Sequence, residues 1–226
     1  MIQVAEKYGT IPQKFTRDWW GYFWLYYKWH TISIIFAIAI IGSCVYSSIT
    51  AEKFDLTLTY AGETHYTDEA TEKIESTLSP LCEDIDGNGE ASLYFSQLNI
   101  DLNSSDTKYL MAMLTKLDFA IGEGETYLFI LNKESADRYK DESSGQSAFA
   151  PLSDWVTADI SGLDTYSVNE VDYGVDISNA KIFKDMGLDV SDLYLFMRYY
   201  PRKDQVEKQL KGYNASINLA NKILAN

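Results

Sequence analysis

The chain has 226 residues, 46% hydrophobic and 14% aromatic, and a formal net charge of −14 from 19 basic and 33 acidic residues. An acidic chain of this kind lacks the basic face that phosphate backbones require, which argues against nucleic acid as a partner. The two cysteines, Cys44 and Cys82, are too few for a disulfide framework, so any folded domain must be held by its core.

Residues 1–28 form a tail with Lys7, Lys14, Arg17 and Lys28 against Glu6 and Asp18. Residues 19–29, WWGYFWLYYKW, carry eight aromatics in eleven positions. Trp and Tyr favour the membrane interface, where the ring is buried and the N–H or O–H stays hydrated, so this stretch is read as an interfacial collar. Between Lys28 and Glu52 lie 23 residues without Asp, Glu, Lys or Arg. About 20 apolar residues at ~1.5 Å each cross a hydrocarbon core, and only a helix satisfies its own backbone there. Residues 29–50 are therefore expected to be a transmembrane helix that anchors the chain in the lipid bilayer. The Lys and Arg excess on the N-terminal side places the tail in the cytoplasm and residues 51–226 outside the cell membrane. The long N-terminal tail favours a retained signal anchor over a cleaved signal peptide. A rival reading takes residues 41–44, Ile-Gly-Ser-Cys, as a bacterial lipobox with Cys44 lipidated, although Val45 and Tyr46 continue the apolar run.

The tail and span take four of the basic and two of the acidic residues, so residues 51–226 carry −16. These 176 residues suit one extracytoplasmic domain with a substantial core. Residues 54–60 alternate as a half-buried strand. Thr67 offers a helix N-cap with Asp68 and Glu69 behind it, and Ala70, Ile74, Leu78 and Leu81 form the stripe until Pro80 stops the helix near Ser79. A second strand is expected around residues 91–96. Ser105 or Asp106 then caps a helix with the stripe Tyr109, Leu110, Met113, Leu114 and Leu117. Gly122 and Gly124 break it, and the short apolar run 127–131 reads as a central strand covered on both faces. The order β-α-β-α-β predicts an α/β fold with a mainly parallel sheet. Beyond it come a short polar helix over 133–141, a mobile loop over 143–147, and a strand or extended return over 166–177. A strand at 193–197 and a long helix from Pro201 towards Leu224 complete the chain. Val206, Leu210, Tyr213, Ile217 and Ala220 are the expected stripe of that last helix.

No reaction is encoded, and a non-enzyme is expected. His65 is the domain's one histidine, no nucleophile elbow or phosphate loop accompanies it, and it reads as a loop residue. The sharpest motif is Asp84 to Glu90, DIDGNGE. It matches the first half of a calcium loop, in which Asp84, Asp86 and Asn88 offer side-chain oxygens and Glu90 a backbone carbonyl. The twelfth position is Phe95 rather than a bidentate Glu, and the same glycines suit a plain helix-to-strand turn. Both readings stand at this point.

The run FWLYYKWHTISIIFAIAII leading into FDLTLTYAG resembles membrane-anchored extracytoplasmic proteins of Clostridia-like bacteria. The segment KYLMAMLTKLDFAIGEGETYLFILNKESADRYKDE followed by FAPLSDW is similar to part of the extracellular solute-binding proteins. That resemblance implies an α/β sandwich like one periplasmic-binding-protein-like lobe, while the domain is too short for the usual two lobes. The expected function is a single-pass membrane-anchored binding or interaction protein, accessory to a membrane protein or transporter partner. The alternatives are a lipid-anchored solute-binding receptor lobe and a surface hydrolase using carboxylates.

Overall fold

The computed structural model describes residues 12–50, 54–122, 126–141, 146–199 and 207–225. The chain divides into two compact units, Met1–Lys53 and Phe54–Asn226.

In the first unit the expected collar and span are one continuous helix, α1 (Arg17–Thr50). The Thr16 hydroxyl accepts a hydrogen bond from Trp19 N–H at 3.3 Å, and Asp18 lies in the first turn, where the helix dipole favours an acid. The aromatic cluster is ordered by helical spacing. Trp19 stacks on Phe23 at 5.4 Å and Phe23 on Tyr27 at 5.5 Å, a ladder of i, i+4 pairs along one side. Trp20, Trp24 and Trp29 remain exposed around the rest. Among the described residues α1 is the one helix long and apolar enough to cross a membrane, and none of its apolar window is buried by protein. Ile34, Ile35, Phe36, Ile38 and Ile41 all face outward.

The second unit is built on an open six-stranded mixed sheet in the order β2-β1-β3-β8-β7-β6. Strand β1 (Leu56–Gly62) pairs in parallel with both β2 (Leu93–Asn99) and β3 (Leu128–Asn132). Helix α2 (Asp68–Leu78) connects β1 to β2, and α3 (Thr107–Gly122) connects β2 to β3. This half is the β-α-β-α-β unit legible in the sequence. Past β3 the pairing turns antiparallel, through β8 (Leu193–Met197), β7 (Val171–Asp176) and β6 (Thr165–Val168). The sheet is thus mixed rather than mainly parallel, with two parallel and three antiparallel pairings. Of the three antiparallel pairings only β6–β7 is a hairpin, whose short return can deliver only an antiparallel neighbour, while β8 is set between β3 and β7 by long connections.

Alternation along the strands divides the core into two layers. Leu128 and Ile130 of β3 join Ile74 and Leu78 of α2, Phe183 of α5 (Lys181–Met186) and Leu219 and Ile223 of α6 (Glu207–Ala225). Phe129 and Leu131 face the other way, towards Leu114, Leu117 and Ile121 of α3 and Ala136 of α4 (Lys133–Asp137). Strand β3 is therefore covered on both faces, as its unbroken apolar run requires. The α2 boundaries also follow the sequence. Thr67 caps Ala70 N–H at 3.3 Å, and Pro80 sits in a single 3-10 turn directly after Leu78. At α3 the cap is Asp106, which accepts from Tyr109 N–H at 3.1 Å.

Several expectations are corrected. In α3 the buried stripe is Leu114, Leu117 and Ile121, while Tyr109 is 45% exposed. Five residues of the polar helix form, α4, and Lys140–Asp141 then pair as β4 with β5 (Gln146–Ser147). Of the mobile loop expected over 143–147, Gln146 and Ser147 are instead β5, and 143–145 lie outside the described residues. The single extended return becomes the β6–β7 hairpin, turning through Asn169 and Glu170 at φ 48° and 67°. Both sit in the left-handed region that a two-residue hairpin turn demands. In α6, Leu210 is exposed and Ala215, Leu219 and Ile223 are buried beside Tyr213 and Ala220. Pro201 and Val206 lie outside the described residues.

Candidate functional site

The loop from Asp84 to Glu90 leads from the helical turn after α2 into β2 and is held by its own side chains. Asp84 accepts from Gly87 N–H at 2.7 Å with one oxygen and from Gly89 N–H at 2.9 Å with the other. Asp86 accepts from Asn88 N–H at 3.0 Å, and Asn88 from Glu90 N–H at 2.7 Å. Gly87 and Gly89 have φ of +77° and +93°, where a Cβ would be strained. These are Asx turns in series, the local competition with regular structure for which Asp and Asn are suited.

The residue that the sequence did not reveal is Asp55, at the start of β1. Its Oδ1 accepts from Ile85 N–H at 2.8 Å and Asp86 N–H at 3.1 Å, and its Oδ2 from Ser92 N–H at 2.9 Å and the Ser92 hydroxyl at 3.1 Å. Burial works against ionisation of Asp55, but the N–H groups of Ile85, Ser92 and Asp86 outweigh it and hold the carboxyl below its ordinary value of 3.8. The unfolded chain consequently binds this proton more readily. The stability that Asp55 contributes is present above pH 3.8 and is lost as the pH falls through the lower folded value.

Oxygens of Asp55, Asp84 and Asp86 lie within 4.8 Å of one another. Asn88 and Glu90 are exposed on the same loop, and Glu90 is not part of the acidic triad. The donor set is all hard oxygen, the chemistry of calcium or magnesium rather than zinc. A carboxylate oxygen has about two acceptor positions, and on Asp55 both oxygens already receive two donors. Asp55 is then a clamp for the loop, and the oxygens with open acceptor positions that could hold an ion are those of Asp84 and Asp86. The loop closes on protein hydrogen bonds alone.

Other reactive groups are quiet. Cys82 is buried, its thiol donates to the Leu78 carbonyl at 3.5 Å, and burial pushes its pKa up to about 12. Cys44 is exposed on α1, which continues past it. His65 lies in the β1–α2 loop, its Nδ1 2.9 Å from Gln97 Nε2 and 2.6 Å from Asn99 Nδ2. Asp159 and Asp189 are also held below the ordinary carboxyl value, each by a hydroxyl and an N–H from a serine two residues on. Comparison of the chain with protein-family models, with curated proteins and with solved structures found no match.

Proposed function

We propose that this protein is a single-pass, membrane-anchored binding module, with α1 in the bilayer and the α/β domain outside the cell beside a membrane protein such as a transporter. The observation that carries the reading lies within α1: its stretch Arg17–Tyr46, 30 residues, contains a window of mean hydropathy 1.8 of which none is buried by protein. In water such a surface would be strongly unfavourable, and contiguous apolar area on this scale marks a membrane or partner contact. The aromatic ladder supplies the interfacial anchor, and Lys7, Lys14, Arg17 and Lys28 support a cytoplasmic N-terminus. Protease added to intact cells is expected to digest residues 54–226 and to spare an N-terminal tag. A protected domain with an exposed tag would reverse the orientation, and a full chain released by carbonate washing would remove the span.

A second reading rests on the acidic triad. Calcium on Asp84, Asp86 and Asn88, with the Glu90 carbonyl, would leave at least two positions to water, because Phe95 stands where a bidentate Glu would close the site. The affinity then belongs to the extracellular class, on the order of 0.1–1 mM. At ten times the dissociation constant the folded state would gain about 1.4 kcal/mol. Melting is expected to rise with calcium in the wild type and to ignore calcium in Asp84→Ala/Asp86→Ala. Asp55→Asn supplies the contrast. Its amide would present N–H to N–H, costing about 1–2 kcal/mol with or without the ion. A wild-type melt indifferent to calcium would leave the loop a turn.

A further inference from the structure

The parallel half of the sheet contains a topological switch. From β1 the chain leaves to α2, whose buried residues lie in one core layer, and from β3 it leaves to α4, whose Ala136 lies in the other. The two neighbouring strands therefore send their connections to opposite faces, which parts the chain outside their carboxyl ends. In open α/β sheets this is where a ligand crevice forms. Here a cleft of about 410 Å³ occupies that place, within the usual range for small-molecule sites. Its walls come from Glu63 and Thr64 after β1, from Lys133 and Glu134 after β3, and from Ser191 and Asp192 in the turn entering β8.

Tyr60 also lines the cleft, although it is only 1% exposed. Its hydroxyl accepts from Thr64 N–H at 3.0 Å and is also reached by the Thr64 side chain. The side chain fits because residue 62 is glycine: a Cβ there would lie 2.6 Å from the Tyr60 oxygen. At the wall of the cleft this O–H can exchange the Thr64 contact for a ligand oxygen. Lys133 makes no ion pair among the described residues, where the one salt bridge is Lys140 to Asp137. With Tyr194 it also lines a second hollow of about 750 Å³. The cleft thus offers hydrogen-bond donors from Tyr60 and Lys133, and the carboxylates of Glu63, Glu134 and Asp192.

We infer that the cleft between the ends of β1 and β3 binds a small solute carrying both an ammonium group and a carboxylate, an amino-acid-type zwitterion. The ammonium faces Glu63, Glu134 and Asp192, and the carboxylate takes the Tyr60 and Lys133 donors. This deepens the reading of the domain as a binding module, and it is independent of which side of the membrane the domain occupies.

The test uses the full chain in detergent or lipid nanodiscs, titrated calorimetrically with each standard amino acid at millimolar concentration. Each is compared with its decarboxylated amine and with its deaminated acid. At least one amino acid is expected to bind saturably at one site per chain, with both truncated analogues at least about tenfold weaker. Glu63, Lys133 and Asp192 are exposed, so the variants Lys133→Ala and Glu63→Gln/Asp192→Asn leave the core intact. Each is expected to weaken binding by about tenfold or more while the melting temperature stays unchanged. Absence of binding across the panel overturns the inference. So does an amine or acid that binds as well as its amino acid, or binding that both variants leave intact. The protease result bears on anchoring and this titration on the cleft, so either can fail alone.

Discussion

Residues 54–226 produced without α1 should be recovered as a soluble domain that melts in one cooperative transition, while the full chain sediments with membranes. Both layers of the core, among the described residues, are built from residues after Phe54, so the fragment carries its own core. The opposite holds for α1. Between Thr31 and Ile49 it carries nine Ile, Phe and Val residues, worth together about 3–5 kcal/mol of insertion on a translocon scale. Ile38→Lys, near the middle of the span and 64% exposed to its surroundings, should cancel most of this, since a central Lys costs about 3 kcal/mol. The expected readout is a marked shift of that variant from the membrane fraction to the aqueous or degraded fraction. A fragment that remains unfolded would show that α1 completes the core, and an Ile38→Lys chain that integrates normally would show that the apolar surface has another role.

Within that fragment, Arg198→Ala should be the most damaging single change to a polar residue, lowering stability on the order of 3 kcal/mol in urea denaturation. Arg198 is 7% exposed and follows β8 directly. Its guanidinium donates to the carbonyls of Ala120 and Ile121 at 3.2 and 3.3 Å and lies 4.9 Å from the Tyr127 ring centroid. Those two carbonyls belong to the last turn of α3, where a helix leaves its acceptors unsatisfied and a cation is favoured. Burial lowers the Arg198 pKa, and Tyr127 works against that shift. No carboxylate pairs with the guanidinium among the described residues. Removing the side chain leaves two carbonyls short of a donor and opens a cavity between α3 and β3. Arg198→Lys should recover part of the loss, because one ammonium cannot fork to both carbonyls and stack on a ring. Arg198→Met should restore volume without donors and fall between Lys and Ala. A loss under about 0.5 kcal/mol for Arg198→Ala would mean that water reaches the end of α3 and replaces the guanidinium.

These two results divide the molecule as its sequence does. Whatever depends on composition or on neighbours within one turn was legible. A long apolar helix needs only a long uncharged run, so α1 follows from its residues, and its extension back to Arg17 needs only the i, i+4 pairing of aromatics. Thr67 and Pro80 delimit α2 because caps and proline act on the adjacent turn. The runs 127–131 and 193–197 announce β3 and β8 because a short apolar segment must be covered on both faces. Asp84, Asp86 and Asn88 form the turns expected of Asx residues spaced two apart.

What only the tertiary structure decided lies in pairings between distant segments. Asp55 stands about 30 positions before the loop that it clamps, and nothing near it in sequence marks it. Arg198 reads as a surface cation until β8 is laid beside β3, which carries it to the end of α3 some 78 positions away. Leu210 and Tyr109 matched helical stripes, yet a stripe is about 100° wide and its edge positions are buried only if a neighbouring element covers them. The antiparallel half could not be inferred from 166–177, because a hairpin with Asn-Glu at its turn lacks the glycine that usually signals one. The switch-point cleft is the same kind of property. Glu63, Lys133 and Asp192 are unremarkable charges in sequence, and they share a cleft because β1 and β3 are neighbours whose chains leave to opposite faces of the sheet.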